Sequence, residues 1–202
     1  MPTSQKQPPD LSRVVPRRFA GGVVGLIAAV LVCEAAGVAG VLVTDTGRSP
    51  WYRELKKPSF APPPSVFGPV WTTLYVLMGV ALFAVWRKRR TVPAARPALV
   101  LFFVQLLLNA VWTPVFFGAK SIGAALAVLV VLWAAIVATV AKFRRVSLVA
   151  TLLMIPYLLW CSFAVVLNAE FFRLNGHSSP PVPSSPSAAP ADRGATTDPS
   201  IA

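Results

Sequence analysis

Charge is what this chain has least of. Only 13% of its 202 residues are Asp, Glu, Lys or Arg, where an ordinary soluble domain carries about 25%. Histidine is scarcer still: His177 stands alone, inside a low-complexity tail, so His-based catalysis and metal-dependent hydrolysis have little to build on. The two cysteines, Cys33 and Cys161, both lie within apolar runs, which argues against a disulfide framework and against a metal cluster. Period-two alternation of apolar and polar residues is missing, which excludes a spanning β-barrel. No internal repeat and no conventional catalytic motif is visible.

Apolar residues fill the space that charge leaves, at 55% of the chain. Five stretches reach the roughly 20 helical residues needed to cross a bilayer, at 19–43, 66–86, 98–118, 121–141 and 147–168. The first is too long for a secretory leader and has no cleavage-like end. The expected fold is therefore all-α, a five-span helical bundle in a membrane.

Seven acidic residues against nineteen basic ones give a net charge of +12, a balance that first suggests nucleic acid. The distribution argues otherwise. With five spans, the side holding the N-terminus collects twelve cations: Lys6, Arg13, Arg17, Arg18, Arg87, Lys88, Arg89, Arg90, Arg96, Lys142, Arg144 and Arg145. The other side holds seven: Arg48, Arg53, Lys56, Lys57, Lys120, Arg173 and Arg193. The basic clusters read as topology signals, with no nucleic-acid partner, and place the N-terminus in the cytoplasm of a bacterial cell.

One connection is long. Residues 44–65 carry Pro50, Pro58 and Pro62–Pro64 together with Trp51, Tyr52, Leu55 and Phe60, apolar groups that favour burial. This segment is expected to form an ordered lid over one mouth of the bundle. Residues 1–16 and 175–202 are rich in Pro, Ser, Ala and Thr and are expected to be disordered tails flanking a folded unit at 17–174.

Beneath the lid, polar and aromatic residues of four spans share one layer. At about 1.5 Å per residue, Trp71, Trp112 and Trp160 lie roughly 8–12 Å below the lid end, and Glu34, Tyr75 and Asn109 roughly 13–14 Å. Tyr157 lies slightly deeper and Gln105 deeper still. Trp71, Tyr75 and Met78 share a helix face, as do Gln105, Asn109 and Trp112, and Tyr157, Trp160 and Ala164. Amides avoid lipid, so Asn109 and Gln105 should face inward, and the layer reads as an aromatic-walled cavity for a planar apolar ligand. Other readings stay open: Trp71 as an interfacial anchor, Asn109 and Gln105 as interhelical glue, and Glu34 as a neutral acid bonding a neighbouring helix. Pro114 and Pro156 are expected to kink their helices at this depth.

Three stretches, WYRELKKPSFAPPPSVFGPVWTTLYVLMGVALFAVW at 51–86, QLLLNAVWTPVFFGAK at 105–120 and IPYLLWCSFAVVLN at 155–168, resemble the TspO/MBR family of tryptophan-rich sensory and mitochondrial translocator proteins. The resemblance covers about 19–174. It implies a five-helix bundle, often a homodimer, whose first loop closes a pocket for porphyrin or haem, sterols or benzodiazepine-type compounds, with no required cofactor. By position it implies Trp71 and Trp160 as the tryptophans credited with light- and oxygen-dependent porphyrin degradation. Tyr52 and Pro63 of the lid, Gln105, Asn109 and the small Ala164 take pocket positions. Ser65 stands where many members have an aromatic, Val128 lies in an unbroken apolar run where many have an acid, and VLNAEFFR lacks the tyrosine of a cholesterol-type motif. Two other classes compete. A transporter for small apolar molecules would lean on the single intramembrane charge of Glu34, and an interaction scaffold on the small-residue pairs Gly21/Gly25 and Ala36/Gly40.

Overall fold

In a computed structural model, residues 15–42, 44 and 49–176 are described, with side chains from Gly21 onward. Six α-helices follow one another: α1 Val15–Leu42, α2 Pro50–Glu54, α3 Pro64–Trp86, α4 Ala95–Thr113, α5 Ile122–Arg144 and α6 Leu148–Asn175. Five of them, all but the short α2, are long and apolar enough to cross a membrane, and there is no strand among the described residues. The all-α, five-span reading holds, and the chain is a multi-pass membrane protein.

The five long helices close a ring in the order α1–α3–α6–α5–α4, with α4 returning to α1. Its core is a column of apolar side chains that includes Met78, Phe102, Leu132, Ile136 and Met154. Outward faces stay apolar, as lipid requires: Leu107, Leu148, Val149 and Leu159 are each more than 60% exposed. A few small residues let the backbones approach. A Cβ at Gly79 would stand 2.5 Å from the Cα of Val30, so α1 and α3 are nearly in backbone contact there. α1 is otherwise the least enclosed of the spans.

Helix boundaries shift at both ends of the sequence reading. α1 begins at Val15, and α6 runs seven residues past 168 to Asn175, through Glu170 and Arg173, which pair with each other at 2.6 Å on the exposed face. Polar residues ended the span by composition, but an amphipathic last turn extends beyond the apolar run. Asn175 thus belongs to the folded unit, and the tail expectations for 1–14 and 177–202 lie outside the described residues.

At Pro114, where a kink is expected, the α-helix gives way to a different turn. Pro114 has no N–H, and the helix continues as one π turn, Pro114–Gly118, in which the Ala119 N–H donates to the Pro114 carbonyl at 2.8 Å. That turn holds one more residue than an α turn and rotates the side chains beyond it about the helix axis. Pro156 lies inside α6, which continues on both sides of it.

Opposite the lid, the α3–α4 and α5–α6 turns carry the basic clusters. They are joined where Lys88 Nζ donates to the Val146 carbonyl at 2.9 Å, while the Arg89 guanidinium lies 3.5 Å above the Trp86 ring. Gly79→Ala must push α1 and α3 apart and is expected to cost about 1–3 kcal/mol, read as a lower unfolding temperature in detergent. Gly68→Ala, whose Cβ would meet nothing within 4 Å, should leave that temperature unchanged or slightly raised.

Candidate functional site: a lidded aromatic cavity

At the lid end the ring encloses a cavity of about 520 Å³, within the range of sites for drug-sized molecules. α3 supplies Phe67, Trp71 and Tyr75; α4 and its π turn supply Asn109, Trp112, Phe116 and Phe117. From α6 come Trp160, Cys161, Ala164, Asn168 and Phe171, and from α1 Glu34 and Gly37. The rim between α1 and α3 is formed by exposed Val38, Val41 and Leu42 on one side and Gly68 and Thr72 on the other, so the cavity opens there.

Its walls are built from paired rings. Trp71 stacks on Tyr75 at 5.4 Å and meets Tyr157 edge-on at 6.3 Å. Trp160 lies between Phe67 at 5.8 Å and Phe163 at 5.6 Å. On the α4 side Trp112 stacks on Phe116 at 5.2 Å. Neighbouring rings hold one another's rotamers, so the flat surfaces exist before any ligand arrives.

Below the rings runs a chain of buried hydrogen bonds. The Tyr75 hydroxyl donates to Asn109 Oδ1 at 2.6 Å, and Asn109 Nδ2 donates to the Tyr157 hydroxyl at 3.1 Å, tying α3, α4 and α6 together. Tyr75 reaches Asn109 because α1 carries Gly37 where any Cβ would collide with its ring. A second amide, Asn168, accepts from the Trp112 indole N–H and donates to the Ile122 carbonyl, both at 3.2 Å, once its oxygen is turned toward the indole. Cys161 lies at the wall and Cys33 in the core, both as free thiols, and no group of metal-binding residues forms among the described residues.

The lid closes the site from above. Ser49 and Pro58 are buried, and α2 points Trp51 and Tyr52 down into a small apolar cluster formed by Phe116, Ile122, Leu167 and Phe171. Tyr52 meets Phe116, Phe117 and Phe171 at 5.3–6.4 Å, burial pushes its hydroxyl pKa up, and Lys57 lies 5.3 Å above its ring. Asn175, at the end of α6, fastens the lid from the side. Its Oδ1 accepts from the Lys56 N–H at 2.9 Å, and its Nδ2 donates to the Lys56 carbonyl at 3.0 Å.

Of the residues singled out in the sequence, Tyr52, Trp71, Tyr75, Asn109, Trp112, Trp160 and Ala164 line one cavity. Tyr157 sits directly behind, fully buried, holding Asn109. Two do not line it. Pro63 is exposed just before α3, and Pro64 takes the wall position. Gln105 is fully buried one turn below Asn109, and neither of its amide atoms has a partner. Facing inward, as its polarity required, did not bring it to the cavity, because the core closes above it.

Several lining residues escaped the sequence reading. Phe67 and Asn168 lie four residues from Trp71 and Ala164 on the same faces, a spacing that was available. Phe116 and Phe117 both reach the site because the π turn breaks the helical register, which no periodicity predicts. Glu34 lines the cavity with Oε1 shielded and accepting from nothing, so the expected bond to a neighbouring helix is not formed by that oxygen.

Fold and site together define a class: a polytopic helical membrane protein with a lidded, aromatic cavity at one end. The sequence comparisons sharpen that class to a family. The profile of the TspO/MBR family matches residues 29–174. Among relatives, the chain is similar to tryptophan-rich protein TspO of Chlorobaculum tepidum, 44% identical over 148 residues, 71% of this chain and 91% of that protein. It is 35% identical to protein CrtK of Rhodobacter capsulatus over 150 residues, 74% of this chain and 92% of that one. The human translocator protein is 43% identical over 127 residues, 62% and 75% of the respective chains. The chain belongs to the TspO/MBR family.

The lid bonds and the buried amide give two expected outcomes. Asn175→Ala removes both lid bonds, about 1–2 kcal/mol in all, and should speed hydrogen exchange at the Lys56 amide by roughly tenfold without changing exchange in α3. Gln105→Met replaces two unpaired buried polar atoms with an unbranched apolar side chain of similar length and should raise the unfolding temperature by an amount equivalent to about 1–3 kcal/mol.

Proposed function

We propose that the protein binds a tetrapyrrole of the porphyrin or haem class in this cavity and serves in sensing, moving or oxidatively degrading it. The observation that carries the reading is the pair of prebuilt ring surfaces, Trp71 on Tyr75 and Trp160 between two phenylalanines, facing a single apolar space of about 520 Å³. A planar macrocycle gains most from such surfaces, since stacking adds about 0.5–1.5 kcal/mol per aromatic pair beyond the burial of area. Ala164 leaves room at the wall, and the lid covers the cavity from above. Membership of a family whose relatives bear the names tryptophan-rich, sensory and translocator protein supports a ligand role for the tryptophans.

Trp71 and Trp160 also suit oxidative turnover. The photo-excited macrocycle takes one electron from the adjacent indole and passes it to dioxygen, giving superoxide. The indole radical cation then takes an electron back from the macrocycle, so the porphyrin carries the net oxidation and combines with the superoxide. Neither a metal nor an acid–base pair is needed for that step. The twelve-to-seven bias of cations supports an orientation with the basic end of the bundle, and the N-terminus, in the cytoplasm, and the lid on the far side of a bacterial cell membrane. Small residues on α1 and the apolar outer faces suit a homodimer in the lipid.

Titration of the purified protein with protoporphyrin IX should quench tryptophan fluorescence saturably. Trp71→Phe together with Trp160→Phe is expected to weaken binding by about tenfold, the loss of one or two stacked pairs. Unchanged affinity in the double variant would remove the assigned site. Illumination under oxygen decides the enzymatic part: loss of porphyrin absorbance in the native protein, and not in the double variant, establishes turnover.

A further inference from the structure

Among the groups lining the cavity, Glu34 stands apart. Tyr75 and Asn109 satisfy each other, as do Trp112 and Asn168, whereas the Glu34 carboxyl contributes Oε1, shielded from solvent and accepting from no group. Among the described residues no cation pairs with it. Residues 21–42, 64–86, 97–119, 122–141 and 148–169, which make up the spans between their ends, contain no Lys, Arg or His. The remaining titratable groups at this depth, Cys33, Tyr75, Tyr157 and Cys161, are thiols and phenols that carry no positive charge. A carboxyl in hydrocarbon without a partner is costly, and such groups mark the position of a partner that is bound in function. Glu34 is half-buried on α1, close to the α1–α3 opening, with the Trp71–Tyr75 stack forming the facing wall.

We propose that Glu34 is a specificity residue: the cavity prefers flat aromatic ligands that present an ammonium or an N–H donor at one edge, which Glu34 receives while the rings hold the plane. This rests on the cavity being the ligand site and is separate from the porphyrin reading, since protoporphyrin IX carries carboxylates at its edge and its N–H groups at the ring centre. Both requirements come from separate parts of the wall. The rings on α3 and α6 select shape, and the acid on α1 selects the charge or donor at the edge.

The test uses three probes of one shape, 1-pyrenemethylamine, 1-pyrenemethanol and 1-methylpyrene. Each is titrated into the full-length protein in zwitterionic lipid nanodiscs, with empty discs subtracted and tryptophan quenching as the signal. The amine is expected to bind at least tenfold more tightly than 1-methylpyrene, with the alcohol between them. In Glu34→Gln the three affinities should come within about twofold of one another, with thermal unfolding confirming that the variant is folded. Equal affinities in the native protein, a preference that survives in Glu34→Gln, or no binding of any pyrene would each overturn the assignment. Protoporphyrin IX in the same discs separates the two readings. Porphyrin quenching without an amine preference removes the role of Glu34 and keeps the porphyrin site, and an amine preference without porphyrin binding does the reverse.

Discussion

The structure depends on one asparagine that lies where three helices meet. Asn109 accepts from Tyr75 on α3 and donates to Tyr157 on α6, and both bonds are buried. In water such a bond is replaceable. In the bundle interior, parting the helices leaves two phenols and an amide without partners at once, and each buried orphan costs about 1–3 kcal/mol. The bonds hold α3, α4 and α6 in one register. That register in turn places Trp71, Trp112 and Trp160 around the same space. The cavity is therefore a consequence of the polar tie beneath it as much as of the rings around it.

Spacing between α1 and α3 explains why the space opens at one end only. Around Gly79 and Val30 the backbones nearly touch, and nothing the size of a ligand fits. Toward the lid the two helices are lined by Val38, Val41 and Leu42 facing Gly68 and Thr72, and the gap widens into the cavity mouth. Tyr75 marks the changeover, its ring pressed against Gly37. The apolar lid cluster covers the end of the bundle on the side of the π turn and α6, with Tyr52 wedged among Phe116, Phe117 and Phe171, and leaves the α1–α3 mouth open.

Much of this was legible in the sequence, because membrane helices obey few and strict rules. Length and hydropathy located all five spans, and helical spacing grouped Trp71 with Tyr75 and Asn109 with Trp112 correctly. Depth along the helix axis, one number per residue, brought residues of four helices to one layer. What failed were cases in which direction around the axis mattered more than depth. Gln105 shares the face of Asn109 but lies under the cavity floor, and Pro63 is adjacent to the wall residue without being one. Phe117 reaches the site through a register change that begins at a proline and has no compositional signature. The bonds of Asn175 to Lys56 span 119 positions, and no local pattern forecasts a contact of that kind.

That contact bears on where the functional unit ends. The family profile stops at residue 174, and a protein cut there would keep all five spans and every ring of the cavity. It would lack the one amide that grips the lid backbone from both its donor and its acceptor side. Such a shortened protein would insert and fold normally while its lid opens more often over the cavity. A boundary drawn by similarity and a boundary drawn by mechanics differ here by a single residue.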